Sequence, residues 1–157
     1  MRIEKKVCLI SSAGGHLEQL RQLSLVMEKY DTYIETPNLK AAQSMKGKKY
    51  LIKDTYIDKS KKVRYVIRFM LMCFQQMWIF IKENPDIVIT TGAGTAIPTC
   101  IYAHVFKKKL ICIQSFARIE SKDRAIDFLY KYADLYIVQW KSQLENYPNA
   151  VYGGGIY

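Results

Sequence analysis

Short apolar runs alternate with helical stretches along almost the entire sequence. The strand-like runs are residues 6–11, 32–36, 49–53, 86–91, 109–114 and 134–139. The helical stretches are residues 17–30, 61–83, 123–132 and a segment that follows a glycine loop and ends near residue 106. Most strand-like runs are apolar at successive positions, so both faces of each strand must be covered by other parts of the chain. The alternation therefore predicts an α/β fold, a Rossmann-like parallel sheet with helices on both faces.

Length and composition favour a single folded domain. The 157 residues are half hydrophobic, and no internal repeat, linker or low-complexity segment divides residues 1–157. The cysteines lie far apart in apolar stretches, without a Cys-x-x-Cys pair: Cys8, Cys73, Cys100 and Cys112. They are predicted to be reduced core residues of a cytosolic protein, and no signal-peptide pattern precedes the first strand.

The chain is strongly basic, with a formal net charge of +10. The charge comes in clusters: Lys46, Lys48 and Lys49; Lys59, Lys61, Lys62 and Arg64; Lys107, Lys108 and Lys109. Such clusters suit an anionic membrane surface, a phosphorylated substrate or nucleic acid, although lysine-rich turns also serve simply to keep an apolar protein soluble. The aromatic residues do not alternate with basic residues in a strand, as a stacking platform for nucleic acid requires. A basic nucleic-acid-binding module is therefore the weaker interpretation.

The segment "LISSAGGHLEQL" (residues 9–20) joins the first strand to the first helix. In open parallel sheets, ligands bind beyond the carboxyl ends of the strands, which is where this loop lies. Gly14 and Gly15 allow a sharp turn and a close approach to a ligand, and free N–H groups at a helix start favour a phosphate. Ser12, Gly14 and Gly15 are therefore candidate phosphate contacts, although a tight turn without a ligand has the same pattern.

His16 follows the two glycines directly. An imidazole at the ligand-binding edge of the sheet can act as a general base near neutral pH. It can also donate a hydrogen bond to a substrate hydroxyl, or only cap the helix. His104 lies among apolar residues of a predicted helix and is interpreted as a structural residue.

A second glycine loop, "TTGAGTAIP" (residues 90–98), follows the strand at 86–91. Gly92, Gly94 and Thr95 are candidate ligand contacts, and two such loops at neighbouring strand ends could hold one diphosphate. The third glycine of the dinucleotide fingerprint is missing. The sequence also has no Walker lysine motif, no Asp-x-Asp pair and no His–Cys cluster. No metal and no bound cofactor are therefore expected, and a self-sufficient nucleotide-dependent enzyme is disfavoured.

The predicted helix at 61–83 is unusually apolar. Its polar residues are spaced so that they form one narrow stripe: Lys61, Arg64, Arg68, Gln75 and Lys82. Arg68 and the Gln75–Gln76 pair interrupt the apolar run, so no transmembrane span of about 20 residues exists. The apolar surface could meet a bilayer interface, a partner subunit or the core of this domain. The residues assigned to a membrane-facing side are Arg64, Arg68, Phe69, Trp78 and Phe80.

Three segments together resemble the acceptor-binding subunit of split glycosyltransferases: "SSAGGHLEQL", "PDIVITTGAGTAIP" and "ADLYIVQW…YPNAVYGGGIY". The eukaryotic member of that family is the membrane-anchoring subunit of the enzyme that adds the second N-acetylglucosamine to dolichol diphosphate. Bacterial relatives serve capsule and exopolysaccharide synthesis. The resemblance covers essentially the whole chain, with the three segments in the same order.

The resemblance implies the amino-terminal half of a GT-B fold, with the UDP-sugar site on a separate partner subunit. The acceptor would be a polyprenyl-diphosphate-linked saccharide at the membrane, and the sugar would be transferred with inversion. By this resemblance the acceptor would be contacted by Ser12, Gly14, Gly15, His16, Gly92, Gly94 and Thr95. His16 would remove or orient the hydroxyl proton. The UDP-sugar would be a co-substrate, no cofactor would be needed, and this chain alone would have little or no activity.

Two departures from the family pattern matter. Relatives often carry an acidic residue where this chain has Gln114, which would shift the catalytic burden to His16 or Glu120, with Arg118 as a further supporting candidate. Eukaryotic members also have an amino-terminal membrane anchor that this sequence does not show. Peripheral attachment to the cytoplasmic face of the membrane through residues 61–82 would replace it, with basic residues contributing about 1 kcal/mol each.

The segment "YPNAVYGGGIY" (residues 147–157) ends in three glycines and an apolar pair. Glycines lose much backbone entropy on ordering, so Gly153–Gly155 should not form structure alone. Residues 153–157 are predicted to form a partner-contacting tail, in which Ile156 and Tyr157 dock on the nucleotide-sugar subunit or fold back to shape the cleft between subunits. The alternative is a disordered terminus that happens to be apolar.

Overall fold

The computed structural model describes residues 3–38, 40–45, 47–53, 62–92, 94–120 and 124–156. Its strands are β1 (Ile3–Ile10), β2 (Tyr30–Pro37), β3 (Lys48–Ile52), β4 (Ile87–Thr90), β5 (Lys109–Ile113), β6 (Leu135–Val138) and β7 (Val151–Tyr152). Its helices are α1 (Gly15–Arg21), α2 (Ser24–Lys29), α3 (Lys40–Gln43), α4 (Lys62–Glu83), α5 (Ile97–Val105), α6 (Arg124–Tyr130) and α7 (Gln143–Asn146), with a 3₁₀ turn at Gly94–Ala96 before α5. Lys46, Lys59, Lys61 and Tyr157, which the sequence analysis singled out, lie outside the described residues.

The strands form one parallel sheet in the order β3-β2-β1-β4-β5-β6-β7. The chain runs outward from β1 to β2 and β3, then crosses back through α4 to β4 and continues to the other edge. The direction of winding therefore reverses between β1 and β4. In sheets of this type a crevice for ligands opens at that switch point, beyond the carboxyl ends of the strands.

Two separate apolar clusters cover the two faces of the sheet. Alternate residues of β1 show this, since Cys8 and Ile10 belong to one cluster and Val7 and Leu9 to the other. The first cluster receives side chains from α4, α5 and α6, and the second receives them from α1, α2 and α3. The predicted α/β fold, with a parallel sheet and helices on both faces, is confirmed. All four cysteines are free, as predicted.

The predicted helix at 17–30 was wrong in its extent. The chain forms α1 and α2 instead, because it tightens after α1 into short-range bonds: the N–H of Gln22 donates to the Gln19 carbonyl and that of Leu23 to the Leu20 carbonyl. Tyr30 then begins β2, where it pairs with Ile3.

Phe80 was wrongly assigned to the membrane-facing side of α4. It is only 2% exposed, and its ring packs against Tyr102 and Phe106, with centroids 6.1 and 5.6 Å away. The helical repeat places Phe80 on the buried stripe of α4, which also contains Met72, Gln76, Ile79 and Glu83.

The opposite side of α4 is a wide apolar surface whose large side chains are between 45% and 75% exposed. We call it the exposed face of α4, and its large apolar residues are Val63, Val66, Ile67, Met70, Leu71, Phe74, Trp78 and Ile81. Phe74 is 68% exposed and Trp78 58%. Arg64 and Arg68 are exposed beside them, and Phe69 is half-buried. The interpretation of α4 as a fully buried central helix is therefore wrong.

Among the described residues, no helix combines the length and the apolarity that crossing a bilayer would take.

The carboxyl end of α4 is anchored to the amino ends of β1 and β3. The buried carboxylate of Glu83 accepts hydrogen bonds from Lys48 Nζ at 2.8 Å, from Lys6 Nζ at 3.3 Å and from the Tyr50 hydroxyl. Burial by itself would raise the pKa of Glu83, but the bonds from Lys48, Tyr50 and Lys6 outweigh it and lower the pKa to about 2. These bonds of Glu83 lie toward the amino ends of the strands, at the edge of the sheet opposite the glycine loops.

Candidate functional site

His16 and Thr91 connect the two glycine loops across the switch point. The Nδ1 atom of His16 lies 2.8 Å from the carbonyl oxygen of Thr91, and the Thr91 hydroxyl donates to the His16 carbonyl at 2.8 Å. A carbonyl oxygen can only accept, so Nδ1 must carry the proton. In the neutral imidazole the lone pair is then on Nε2. The arrangement holds His16 in the tautomer that a general base acting through Nε2 requires.

An open cavity of about 530 Å³ lies beside His16. It is lined by Gly15, His16, Gln19, Ser115, Phe116 and Ala117. The first three belong to α1 and the other three follow β5, so the cavity spans the crevice between the two halves of the sheet. His16 is half-buried at the rim of this cavity.

The first glycine loop has the geometry that the sequence suggested. Gly14 has φ +74°, which disfavours other residues, and its carbonyl accepts the N–H groups of Leu17 and Glu18 that start α1. A Cβ added at Gly14 or Gly15 would meet nothing within 4 Å, so the space beside both is open to a ligand. Ser12 is half-buried and its hydroxyl donates to the Ala13 carbonyl at 3.3 Å.

The second glycine loop is less available to a ligand than the sequence suggested. Gly92 is buried with φ +105°, and its N–H already donates to the Thr90 hydroxyl at 3.0 Å. Thr95 is buried too, and its carbonyl accepts from Gln76 Nε2 at 2.8 Å, while Gly94 is exposed. The Gly92 N–H is therefore not a free donor for a phosphate, whereas the buried Thr95 hydroxyl has no hydrogen-bond partner among the described residues.

Gln114 is buried beneath the segment that follows β5. Its Nε2 donates to Gln143 Oε1 at 3.2 Å, and Gln143 Nε2 donates to the Arg118 carbonyl at 3.1 Å. Gln139 Nε2 donates to the Gln114 carbonyl at 2.7 Å. An uncharged amide suits this dry position, because a carboxylate would lose its hydration there. Gln114 positions the cavity wall from below, Arg118 is half-buried in the same segment, and Glu120 is exposed at its end.

Gln19 is a site residue that the sequence analysis missed. It lines the His16 cavity, is 2% exposed, and its Oε1 atom has no hydrogen-bond partner in the part of the chain that the structure describes. A buried acceptor without a hydrogen-bond partner destabilises the folded protein. A hydrogen bond from a donor group of a ligand would remove that destabilisation. In the sequence, Gln19 could have been recognised as a polar residue between Leu17 and Leu20, on the apolar side of a predicted helix.

Glu35 is a second missed residue. Its side chain is fully buried at the end of β2, where the Thr99 hydroxyl donates to Oε2 at 2.9 Å and Cys8 Sγ approaches Oε1 at 3.6 Å. Burial raises the pKa of Glu35 to about 7, although the bonds from Thr99 and Cys8 oppose the rise. The Glu35 carbonyl also accepts from the Ser11 N–H at 3.2 Å. Glu35 thereby connects the first glycine loop to α5. In the sequence it could have been recognised as an acidic residue inside the predicted strand "TYIET".

The tail folds back on its own chain as far as residue 156. The N–H of Gly153 donates to the Val138 carbonyl at 3.0 Å, and that of Ile156 to Gln139 Oε1 at 3.0 Å. A Cβ added at Gly155 would lie 3.3 Å from the Phe116 ring, which lines the His16 cavity. The tail therefore packs against the cavity wall, and the interpretation of a disordered terminus is wrong for residues 153–156.

Within the residues that the structure describes, no group of three His, Cys, Asp or Glu side chains comes together as metal ligands would.

Comparison with curated proteins finds relatives that cover part of this chain. The protein named "UDP-N-acetylglucosamine transferase subunit ALG14" of Mus musculus is 31% identical over 111 residues, which are 64% of this chain and 51% of the mouse protein. The Homo sapiens protein of the same name is 32% identical over 81 residues, 48% of this chain and 38% of that protein. The chain thus spans about half, or less, of the length of these relatives.

Comparison with solved structures finds the same fold in longer proteins. MurG of Acinetobacter baumannii superposes with a TM-score of 0.68 at 14% identity, over 85% of this chain and 41% of that chain. A putative UDP-N-acetylglucosamine 2-epimerase from Listeria monocytogenes gives 0.65 at 14% identity, over 93% and 42%. At such identities the likeness concerns the fold, and it confirms the predicted Rossmann-like domain of GT-B type.

The family that matches is described as "Oligosaccharide biosynthesis protein Alg14 like" and is matched over residues 8–156. That range includes both glycine loops, the His16 cavity and the described part of the tail. This chain belongs to the Alg14-like family of oligosaccharide biosynthesis proteins.

Proposed function

We propose that this chain is the acceptor-binding subunit of a two-component inverting glycosyltransferase. The observation that carries the proposal is the bond between His16 Nδ1 and the Thr91 carbonyl, which leaves Nε2 as the basic atom at the edge of an open cavity. Relatives in the same family are named as subunits of a UDP-N-acetylglucosamine transferase, which supports this reaction class.

In the proposed reaction an acceptor hydroxyl lies in the His16 cavity. Its oxygen attacks the anomeric carbon of a UDP-sugar from the opposite side to the leaving group, so the configuration inverts. The new C–O bond forms as the bond from the anomeric carbon to UDP breaks, and UDP leaves with the electron pair. The hydroxyl proton passes to His16 Nε2, which the Thr91 carbonyl keeps oriented through Nδ1.

The UDP-sugar is proposed to bind a separate subunit that closes over the cavity. The His16 cavity is open on its outer side, and the tail at 153–156 lies along one of its walls. A second subunit docked there would exclude water and bring the donor to the acceptor hydroxyl. The proposed acceptor is a polyprenyl-diphosphate-linked saccharide in capsule or exopolysaccharide synthesis.

Peripheral attachment to the cytoplasmic face of the membrane is part of the proposal. The exposed face of α4 is a contiguous apolar surface of the kind that marks membrane or protein contacts. Arg64 and Arg68 flank it and would face anionic headgroups while the aromatic side chains enter the interface.

A reconstitution experiment tests the function. The chain is co-expressed with the candidate donor-binding subunit from its own genome, and the purified pair is given UDP-N-acetylglucosamine and vesicles that contain a polyprenyl-diphosphate-linked sugar. Transfer is expected with the pair and not with either chain alone. Full turnover by this chain alone, or none by a pair that co-purifies, would contradict the proposal.

A further inference from the structure

Buried polar atoms without a hydrogen-bond partner gather at the carboxyl edge of the sheet. Among the described residues they include Ser11 Oγ, Thr36 Oγ1, Thr95 Oγ1 and Gln114 Oε1, at or beyond the carboxyl ends of β1, β2, β4 and β5, and Gln19 Oε1 on α1. Native proteins leave few such atoms, so their concentration at one edge indicates a place where polar groups from outside the chain bind. Of these atoms, only Gln19 Oε1 belongs to a residue that lines the His16 cavity.

Helix α1 places Gln19 beside His16. The two residues are three positions apart, which brings their Cβ atoms to about 5–6 Å from each other and turns both side chains to the same side of the helix. Both line the His16 cavity. Leu17 and Leu20 are fully buried in the apolar cluster on this face of the sheet, so α1 cannot rotate without exposing them. Gln19 is therefore held in a fixed position relative to the imidazole of His16.

The chemistry of Gln19 Oε1 limits what it can bind. An amide oxygen only accepts hydrogen bonds, so its partner must be an O–H or N–H group. Gln19 is 2% exposed, and a side chain of similar length without polar atoms would avoid the cost of the unpaired oxygen. A glutamine at this position therefore lowers the stability of the ligand-free chain, and a ligand with a hydrogen-bond donor restores it.

Phe116 forms an apolar wall of the same cavity. Its ring centroid lies 4.8 Å from that of Trp140, and Trp140 Nε1 donates to the Phe116 carbonyl at 2.7 Å. The tail packs against the same ring at Gly155. These contacts hold Phe116 in place, so the His16 cavity has polar groups on the α1 side and a fixed aromatic ring on the β5 side. Sites for small polar molecules combine apolar walls with a few placed polar groups in this way.

We infer that Gln19 selects the acceptor sugar by accepting a hydrogen bond from a hydroxyl adjacent to the one that is glycosylated, an inference that rests on the proposed function. A sugar ring carries hydroxyls on neighbouring carbons. One hydroxyl can therefore pass its proton to His16 Nε2 while its neighbour donates a hydrogen bond to Gln19 Oε1. The C–H groups on one face of the ring pack against Phe116. Gln19 determines specificity and takes no part in the proton transfer.

Thermal unfolding of the isolated full chain is the first test. Gln19→Met keeps the length of the side chain and removes the unpaired oxygen, so the melting temperature of the ligand-free protein should rise by about 2–4 °C. Gln22→Met makes the same change at an exposed position directly after α1 and should alter the melting temperature by less than about 1 °C. An unchanged or lower melting temperature for Gln19→Met would show that the amide is already satisfied in the free protein, and would overturn the inference.

Binding of matched acceptor analogues to the isolated chain is the second test. The probes are farnesyl diphosphates that carry glucose or N-acetylglucosamine, together with forms of each that lack one ring hydroxyl, and calorimetry gives the dissociation constants. The wild type is expected to bind one of these deoxy forms about tenfold more weakly than its parent, because Gln19 Oε1 then stays unpaired.

The variants identify the residue that discriminates. Gln19→Met should bind the parent compound and that deoxy form equally, whereas Gln22→Met should discriminate as the wild type does. Discrimination that survives in Gln19→Met, or a wild type that binds every deoxy form as tightly as the parent, would overturn the inference.

Kinetics of the reconstituted pair separate this inference from the proposed function. Gln19→Met should raise KM for the acceptor about tenfold and leave kcat unchanged, because it removes a binding contact and retains His16. A pair that transfers sugar with the same KM in Gln19→Met and wild type would contradict this inference alone. Binding of the sugar-linked probe that depends on Gln19, without transfer by the pair, would contradict the proposed function and leave the Gln19 contact standing.

Discussion

His16 and Thr91 bond to each other twice, once through the His16 ring and the Thr91 carbonyl and once through the Thr91 hydroxyl and the His16 carbonyl, both at 2.8 Å. The two residues are 75 positions apart in the chain, yet they join the loops after β1 and β4. The hydrogen bond from Nδ1 to the Thr91 carbonyl restricts rotation of the imidazole ring. The Nε2 atom therefore keeps one orientation.

Replacing His16 tests the proposed catalytic role separately from a structural role. His16→Ala removes both nitrogens, whereas His16→Asn keeps a side-chain N–H that can donate to the Thr91 carbonyl and lacks a base. Both variants are expected to reduce transfer by the reconstituted pair by about 10²–10⁴-fold, because the proton acceptor is missing. Circular dichroism and co-purification should remain normal. Near-normal turnover in His16→Asn would limit His16 to a binding role.

Glu35 should make stability depend on pH. In the folded protein its pKa is raised to about 7, against 4.5 when unfolded, so the folded state retains a proton that the unfolded state has lost. The free energy of unfolding should therefore fall by about 3 kcal/mol as pH rises from 4.5 to 7, and level off above 7. Glu35→Gln should remove this decline, because an amide accepts the Thr99 bond without titrating.

Urea denaturation at several pH values between 4.5 and 8 measures the effect of Glu35. Glu28→Gln, an exposed change of the same chemistry, is the control and should retain the wild-type slope. Parallel pH curves for wild type and Glu35→Gln would show that Glu35 does not titrate in this range.

Glu83 should make the free energy of unfolding depend on pH in the acid range, in the direction opposite to that of Glu35. Its pKa is lowered to about 2 in the folded state, so its contribution to stability is present above pH 4.5 and disappears as pH falls toward 2. Glu83→Gln should cost about 2 kcal/mol at pH 7, a value discounted for the partly exposed lysines, and should reduce the loss on acidification. Thermal unfolding at pH 3 and pH 7 measures it, with Glu145→Gln as an exposed control. Equal acid sensitivity of wild type and Glu83→Gln would contradict this assignment.

The exposed face of α4 should attach the protein to membranes. Phe74→Ser with Trp78→Ser removes two large apolar side chains that contact little of the protein, so the fold should be retained while liposome flotation falls several-fold. Leu25→Ser, an exposed apolar residue on α2, is the control and should float normally. Equal flotation of all three folded proteins would assign the face to another partner.

The tail should be needed for pairing with the donor-binding subunit. Deleting residues 153–157 removes the bonds to Val138 and Gln139 and the contact with Phe116, so both the pairing surface and the cavity wall should be altered. Co-purification and transfer should be lost, with only a small change in melting temperature of the isolated chain. Val151→Thr, an exposed change on β7, should pair normally. A truncated chain that still pairs and turns over would show that the tail is dispensable.

The fold class could be predicted from the sequence because its signals are local. Runs such as residues 86–91 are apolar at successive positions, and this alone indicates strands covered on both faces. Gly14 is another local signal, since a sharp turn between a strand and a helix favours glycine whatever surrounds it. Each predicted strand appears in the sheet, which also contains the short strand β7.

Contacts between distant segments could not be predicted in the same way. The apolar composition of α4 does not tell which side faces the sheet, so Phe80 was placed outside although its ring packs against Tyr102 and Phe106 of a later segment. The burial of Glu35 depends on Thr99, which is 64 residues away, and the packing of α4 beside β3 depends on Gln75, which bonds to the end of β3.

By itself the sequence determined which segments become strands and where glycine permits a turn, because those preferences act among neighbours along the chain. Only the tertiary structure decided which tautomer His16 adopts, which side of α4 is exposed, and which glycine N–H is already bonded. The physical reason is that hydrogen bonds and burial depend on atoms brought together by the order of the strands, and no short stretch of sequence specifies its distant partners.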